Sequence, residues 1–137
     1  MGIRCALALA AAVGIAGCGE DDDHANSERP PTTIDVTAAI ADGRVHVSPR
    51  RFGAGPIRVI VSNQMPSAQA LTFETGGDAS GVTETTEPIV PNGTATLEVD
   101  DVTEGDYELL TDDDKVEPAA VRVSAPRPSA QNELLLP

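Results

Sequence analysis

Two cysteines, two histidines and 22 carboxylates are the side chains of this 137-residue chain that could do chemistry. Cys5 and Cys18 both lie near the N-terminus, among small apolar residues. His24 stands beside Asp21, Asp22 and Asp23, a set that would hold a divalent cation weakly; a solvated acidic spacer is the plainer reading. His46 sits between Val45 and Val47. On an extended strand it therefore points away from them, toward solvent. A lone strand histidine is more often a surface residue than a ligand. Asp112, Asp113 and Asp114 are hard oxygen donors suited to Ca²⁺, but the Asp-x-Asp-x-Asp-Gly spacing is missing and Lys115 adjoins them. The acidic bend of Asp100, Asp101, Glu104 and Asp106 carries the same discount.

Catalysis has little to build on. A hydrolytic triad needs a histidine base beside a nucleophile and an orienting acid, and only His46 lies outside the acidic spacer. No Gly-x-Ser-x-Gly elbow exists. A paired-carboxylate glycosidase would lack aromatic platforms, because Phe52, Phe73 and Tyr107 are the whole aromatic set. Asn92-Gly93-Thr94 matches a glycosylation sequon but reads as a turn. No catalytic residue, no metal ligand and no cofactor is expected, and the chain is read as a non-enzyme.

Residues 1–17 divide as a secretory signal does. Arg4 supplies the positive start, Cys5 to Ile15 is apolar, and Ala16 and Gly17 are small enough for a peptidase pocket. The apolar stretch is shorter than the roughly 20 residues that span a bilayer. Cys18 follows Ile15-Ala16-Gly17 directly. That run resembles the bacterial lipobox. The resemblance implies that the Cys18 thiol receives a diacylglyceryl group and that the signal is removed before it. Multiple acyl chains hold stably where one binds reversibly, since each buried CH₂ contributes about 0.8 kcal/mol. The expected location is the extracytoplasmic face of the cell membrane, with Cys18 as the lipid-attachment site. Cys5 would leave with the signal, so the mature chain would hold neither a free thiol nor a disulfide.

After residue 17 the chain has eight basic residues against 22 acidic ones, a balance of −14. Such a surface repels nucleic acid and anionic headgroups. The membrane, through the lipid anchor, and an envelope protein are the expected partners; nucleic acid is not. Residues 18–31 read as an acidic flexible tether, with Glu20 to Asp23 followed by Asn26, Ser27, Pro30 and Pro31. Fully extended, it reaches some 40 Å.

From Thr32 the pattern has period two. Ile34, Val36 and Ala38 open it, followed by Val45 and Val47, then Ile57, Val59 and Val61. Leu71 and Phe73 continue it, as do Ala95, Leu97 and Val99, then Tyr107 and Leu109, and finally Val121 and Val123. Short β-branched runs separated by Gly, Pro, Asn and Asp read as strands. One-faced alternation argues antiparallel pairing with one side buried. Seven or so such strands without an amphipathic helix predict an all-β, two-sheet sandwich. Ala38 to Asp42 is compatible with a helical turn, too short to change the class. The chain closes with Leu134-Leu135-Leu136-Pro137, beyond Pro126 and Pro128. Three leucines there are expected to pack into a groove on the sandwich, with a partner-binding tail as the alternative. Domain bounds follow: 1–17 signal, 18–31 tether, 32–125 sandwich, 126–137 C-terminal tail.

Three segments carry a resemblance to the cupredoxin family. Val47-Ser48-Pro49 leads into Gly55-Pro56-Ile57-Arg58-Val59-Ile60-Val61-Ser62-Asn63; Ala70-Leu71-Thr72-Phe73 follows; Glu104-Gly105-Asp106-Tyr107-Glu108-Leu109 lies nearer the C-terminus. The resemblance covers about Thr32 to Ser124 and implies a Greek-key antiparallel β-sandwich of seven to eight strands. Copper members of the family use two His, a Cys thiolate and usually a Met. At the position of the first His this chain has Gln69, and at the Cys it has Thr111. Asp112 to Pro118 supplies neither the second His nor the Met. Soft sulfur and imidazole ligands are what suit copper there. The implied protein is a bacterial lipoprotein whose cupredoxin-like domain lacks the copper ligands and acts as a binding or structural module. The alternative is divalent-metal binding through the acidic loops.

Overall fold

The computed structural model describes residues 28–77 and 81–129. Cys5, Cys18, His24, the acidic run and the leucine tail lie outside the described residues. Nine strands follow one another: β1 (Ile34–Ala41), β2 (Arg44–Ser48), β3 (Arg51–Ala54), β4 (Ile57–Asn63), β5 (Leu71–Thr75), β6 (Thr83–Thr85), β7 (Thr94–Val99), β8 (Gly105–Thr111) and β9 (Ala119–Pro126). No helix occurs among the described residues. One sheet has the order β2-β1-β4-β7 and the other β3-β9-β8-β5-β6.

Alternation along the chain becomes the sandwich core. In β4, Ile57, Val59 and Val61 are buried between half-buried Arg58, Ile60 and Ser62. In β9, Ala119, Val121 and Val123 are buried between exposed neighbours. The inward side chains of both sheets form one cluster, aliphatic except for Phe52, Phe73 and Tyr107. Phe73 stacks on Tyr107 with ring centroids 4.9 Å apart. The Tyr107 hydroxyl, buried at the edge of this pair, donates to the Thr103 carbonyl at 3.0 Å and accepts from the Thr103 amide at 3.2 Å. Each fully buried Val, Leu or Phe contributes roughly 1.5–3 kcal/mol.

The predicted two-sheet, all-β architecture is what the chain adopts, with three corrections. The sheets are mixed rather than wholly antiparallel: β1 runs parallel to β4 and β3 parallel to β9. After the β1–β2 hairpin the chain crosses to the second sheet as β3 and returns as β4 beside β1. A strand buried on one face alternates identically in either direction. There are also nine strands among the described residues rather than seven or eight. Finally, residues 38–41 continue β1 instead of turning helical. The reversal falls on Asp42 (φ 51°) and Gly43 (φ 71°), both in the left-handed region that a two-residue hairpin turn requires.

The strand directions define two ends. Ile34 pairs with Ile57, and Ile40 pairs with Asn63, roughly 20 Å further along β1. At the proximal end, where the chain enters at Thr32, Arg127 braces the fold. Its Nε donates to the carbonyls of Gly53 (3.0 Å) and Ala54 (3.3 Å), its Nη2 to that of Pro56 (2.7 Å), and its Nη1 to that of Thr32. Burial pushes the guanidinium below the usual arginine range. Packing therefore continues past residue 125, and Ser129 is also buried.

Gly55 makes room for this brace. Its φ is +128°, and a Cβ there would stand 2.7 Å from Arg127 Nη2 and 3.1 Å from Pro31 Cγ. Gly55→Ala is expected to lower stability by about 1–3 kcal/mol, through strained backbone and a displaced Arg127. Gly43, whose Cβ would meet nothing within 4 Å, provides the comparison. Equal denaturation midpoints for Gly55→Ala and Gly43→Ala would show that the brace is immaterial.

Candidate functional site

The distal end gathers the loops that follow β4, β5's approach and β8. Asn63 ends β4 and is 0% exposed. Its Nδ2 donates to the carbonyls of Ser67 and Ile89, each at 2.8 Å, and its Oδ1 accepts from the Met65 amide at 2.9 Å. One side chain thus joins the 64–70 loop to the segment entering β7. Gln64 N donates to the Ile40 carbonyl at 2.8 Å, which secures the same loop to β1.

Gln69 lies inside this arrangement at 2% exposure. Its backbone forms a two-bond bridge with Ile89, at 3.1 and 2.9 Å. Its Nε2 donates to Ser67 Oγ at 3.0 Å. Its Oε1 is buried and has no hydrogen-bond partner among the described residues. Thr111 ends β8 opposite Leu71 and is also buried. The Thr111 hydroxyl donates to the Asp113 carbonyl at 3.2 Å and accepts from the Asp113 amide at 3.3 Å. The two loops are linked because Asp112 Oδ1 accepts from the Ala70 amide at 3.1 Å. Asp113 Oδ1 accepts from the Lys115 amide at 3.0 Å.

The structure therefore places Gln69 and Thr111 at one end of the sandwich and gives both structural hydrogen bonds. An amide and a hydroxyl engaged in loop closure do not fit a copper centre that needs imidazole and thiolate. The acidic turn is likewise occupied: two of its three carboxylates hold backbone amides. Among the described residues, no three His, Cys, Asp or Glu side chains converge to hold a metal ion. His46 is exposed on β2, in register with Ala39. The shallow hollow beside it is lined by Thr37, Ala38, Ala39, Val47, Ser48 and Ser62, with no carboxylate to orient the ring. Asn92 sits in a turn with φ 61°, as its Asn-Gly sequence predicts.

Two features escaped the sequence reading. Asn63 was legible as a strand end but not as the joint between three segments. Arg127 falls within residues that read as a tail, since a single arginine between prolines has no periodic signal.

No family profile and no curated protein matches the chain. Among solved structures, auracyanin B aligns with a TM-score of 0.52 and 12% identity, over 72% of this chain and 92% of its own. A sodium-dithionite-reduced auracyanin from the photosynthetic bacterium Roseiflexus castenholzii aligns with a TM-score of 0.49 and 15% identity, over 68% and 97%. The Cu-containing nitrite reductase (NirK) of Thermus scotoductus SA-01 aligns with a TM-score of 0.42 and 17% identity, over 69% and 31%. At 12% identity the likeness to auracyanin B concerns the fold alone. The fold is a cupredoxin-like β-sandwich.

Proposed function

We infer that this chain is a lipid-anchored, extracytoplasmic module whose cupredoxin-like domain acts in binding or structure without copper and without catalysis. The observation that carries the reading is the use of Gln69 and Thr111. The two positions that the family resemblance assigns to metal ligands hold an amide and a hydroxyl, and their hydrogen bonds close the distal loops. Anchoring rests on the signal-like residues 1–17 and on Cys18 after Ile-Ala-Gly. The charge balance supports a body that stands off anionic headgroups while the acyl chains insert.

Two measurements test this. Cys18→Ser is expected to release the chain from the membrane fraction or to leave its signal uncleaved; unchanged retention and cleavage would reject the anchor. Calorimetric titration of the full chain with Cu²⁺ and Ca²⁺ is expected to show no saturable binding below about 1 mM, the weak limit of extracellular calcium modules. Saturable micromolar Cu²⁺ binding would reject the copper-free reading. Ca²⁺ binding lost in Asp112→Asn would favour the acidic loops instead.

A further inference from the structure

Four of the seven arginines among the described residues have side-chain partners. Arg44 pairs with Glu117, Arg58 with Asp35 and Glu98, and Arg127 with four carbonyls. Arg29, Arg50 and Arg51 are exposed, and none of their side chains has a hydrogen bond or ion pair among the described residues; Arg50 and Arg51 are the two that lie side by side. They stand at the β3 edge of the five-stranded sheet, and Arg51 lies directly in register with Arg122 of β9. Like charges placed opposite one another on neighbouring strands are destabilising. Arg122 is relieved by its own register partner across β8, since its Nη1 lies 2.7 and 2.6 Å from the two Asp106 carboxylate oxygens. Hydrogen bonding to Asp106, then its charge, raises the Arg122 pKa. Among the described residues no carboxylate forms an ion pair with Arg50 or Arg51, although Glu104 and Asp106 line a neighbouring hollow with Arg51.

The three guanidinium-bearing residues line one depression of about 520 Å³ on the outer face of that sheet. Gly76 and Gly77 keep its far rim low; a Cβ on Gly76 would stand 3.2 Å from the Asp106 carbonyl oxygen. Glu108 lies on the wall beside Asp106. The geometry points to a binding site for a small phosphate-class dianion at Arg50 and Arg51, with Arg122 adjoining. Asp106 shows that one carboxylate satisfies one guanidinium here. Two further guanidinium groups match an anion with two charges and several oxygens, which charge-assisted arginine hydrogen bonds bind well. Glu108 and the overall acidity repel extended polyanions, so the ligand is inorganic phosphate or a single phosphomonoester. This site stands apart from the anchoring and the copper-free reading.

The test follows the arginine Nε–H signals of the ¹⁵N-labelled full chain, carrying Cys18→Ser so that it stays unanchored. Sodium phosphate is titrated at low salt, with sodium chloride of matched ionic strength as reference. Saturable shifts at Arg50 and Arg51 are expected with phosphate alone. Binding should weaken at least about tenfold, about 1.4 kcal/mol, in the Arg50→Gln/Arg51→Gln double variant and stay unchanged in Arg44→Gln. A second arm measures co-sedimentation with phosphatidylcholine vesicles with and without phosphatidate. A response to free phosphate identifies a soluble ligand, and retention by phosphatidate vesicles alone identifies a lipid-borne one. No saturable response in either arm, or the same response in the double variant, overturns the site.

Discussion

Asn63→Asp is expected to destabilise the protein severely at neutral pH, by about 3 kcal/mol or more, although it changes a single atom of the side chain. Asn63 is fully buried, and its Nδ2 points at two carbonyl oxygens 2.8 Å away. A carboxylate there would set negative charge against the Ser67 and Ile89 oxygens with no water to screen it. Burying such a group unpaired costs several kcal/mol, or it protonates instead. The introduced carboxyl would therefore hold its proton in the folded state to a higher pH than the ordinary aspartate value of about 3.9. The sign of the pH effect follows. Once pH exceeds that unfolded value, only the unfolded chain releases the proton, and stability falls with pH until the folded-state value is passed. Chemical denaturation at pH 4 and pH 7 should show the variant's deficit growing toward pH 7. Asn63→Ala removes the same donors without a charge and should lack that extra pH dependence. An Asn63→Asp deficit that is small, or constant with pH, would contradict the buried junction.

Phe73→Ala should be the other large loss, about 3–5 kcal/mol, the range for removing a buried aromatic ring. Phe73 is 1% exposed, pairs in register with Leu109, and stacks on Tyr107. The core has just two other aromatic rings, so no neighbour can fill the cavity. Phe73→Leu keeps most of the volume and should cost under about 1.5 kcal/mol. Small domains are stable by only about 5–15 kcal/mol, so the alanine variant should show a clearly lowered urea midpoint. Equal midpoints for the two variants would mean that the ring is not central to the core.

How much of this was legible in the sequence depends on the kind of signal each element leaves. β4 and β9 announced themselves, because Ile57-Val59-Val61 and Val121-Val123 alternate over a face that meets the core. β3 did not, since Arg51-Phe52-Gly53-Ala54 offers one large apolar residue and a glycine. β6 did not either: Thr83, Glu84 and Thr85 are all exposed at a sheet edge, and their backbone bonds to β5 leave no hydrophobic trace. Parallel pairing was invisible for a related reason. Alternation reports which face is buried, not which way the neighbouring strand runs. Gln69 and Thr111 are singled out only by the family resemblance, which implies ligands at those positions, and their bonds to Ser67 and Asp113 depend on loop conformations that no periodicity encodes. The cluster of Arg50, Arg51 and Arg122 joins residues more than 70 positions apart, so it exists only once β3 lies beside β9.

Arg127 holds the carbonyl of Thr32, so the first and last well-packed parts of the described chain meet at one point. The domain consequently adds almost no length between what comes before it and what comes after. It is a pendant rather than a spacer. A pull applied at Thr32 and Arg127 would bear on the carbonyl bonds of Arg127, while Asn63 and its loops lie at the opposite end, outside the line of tension.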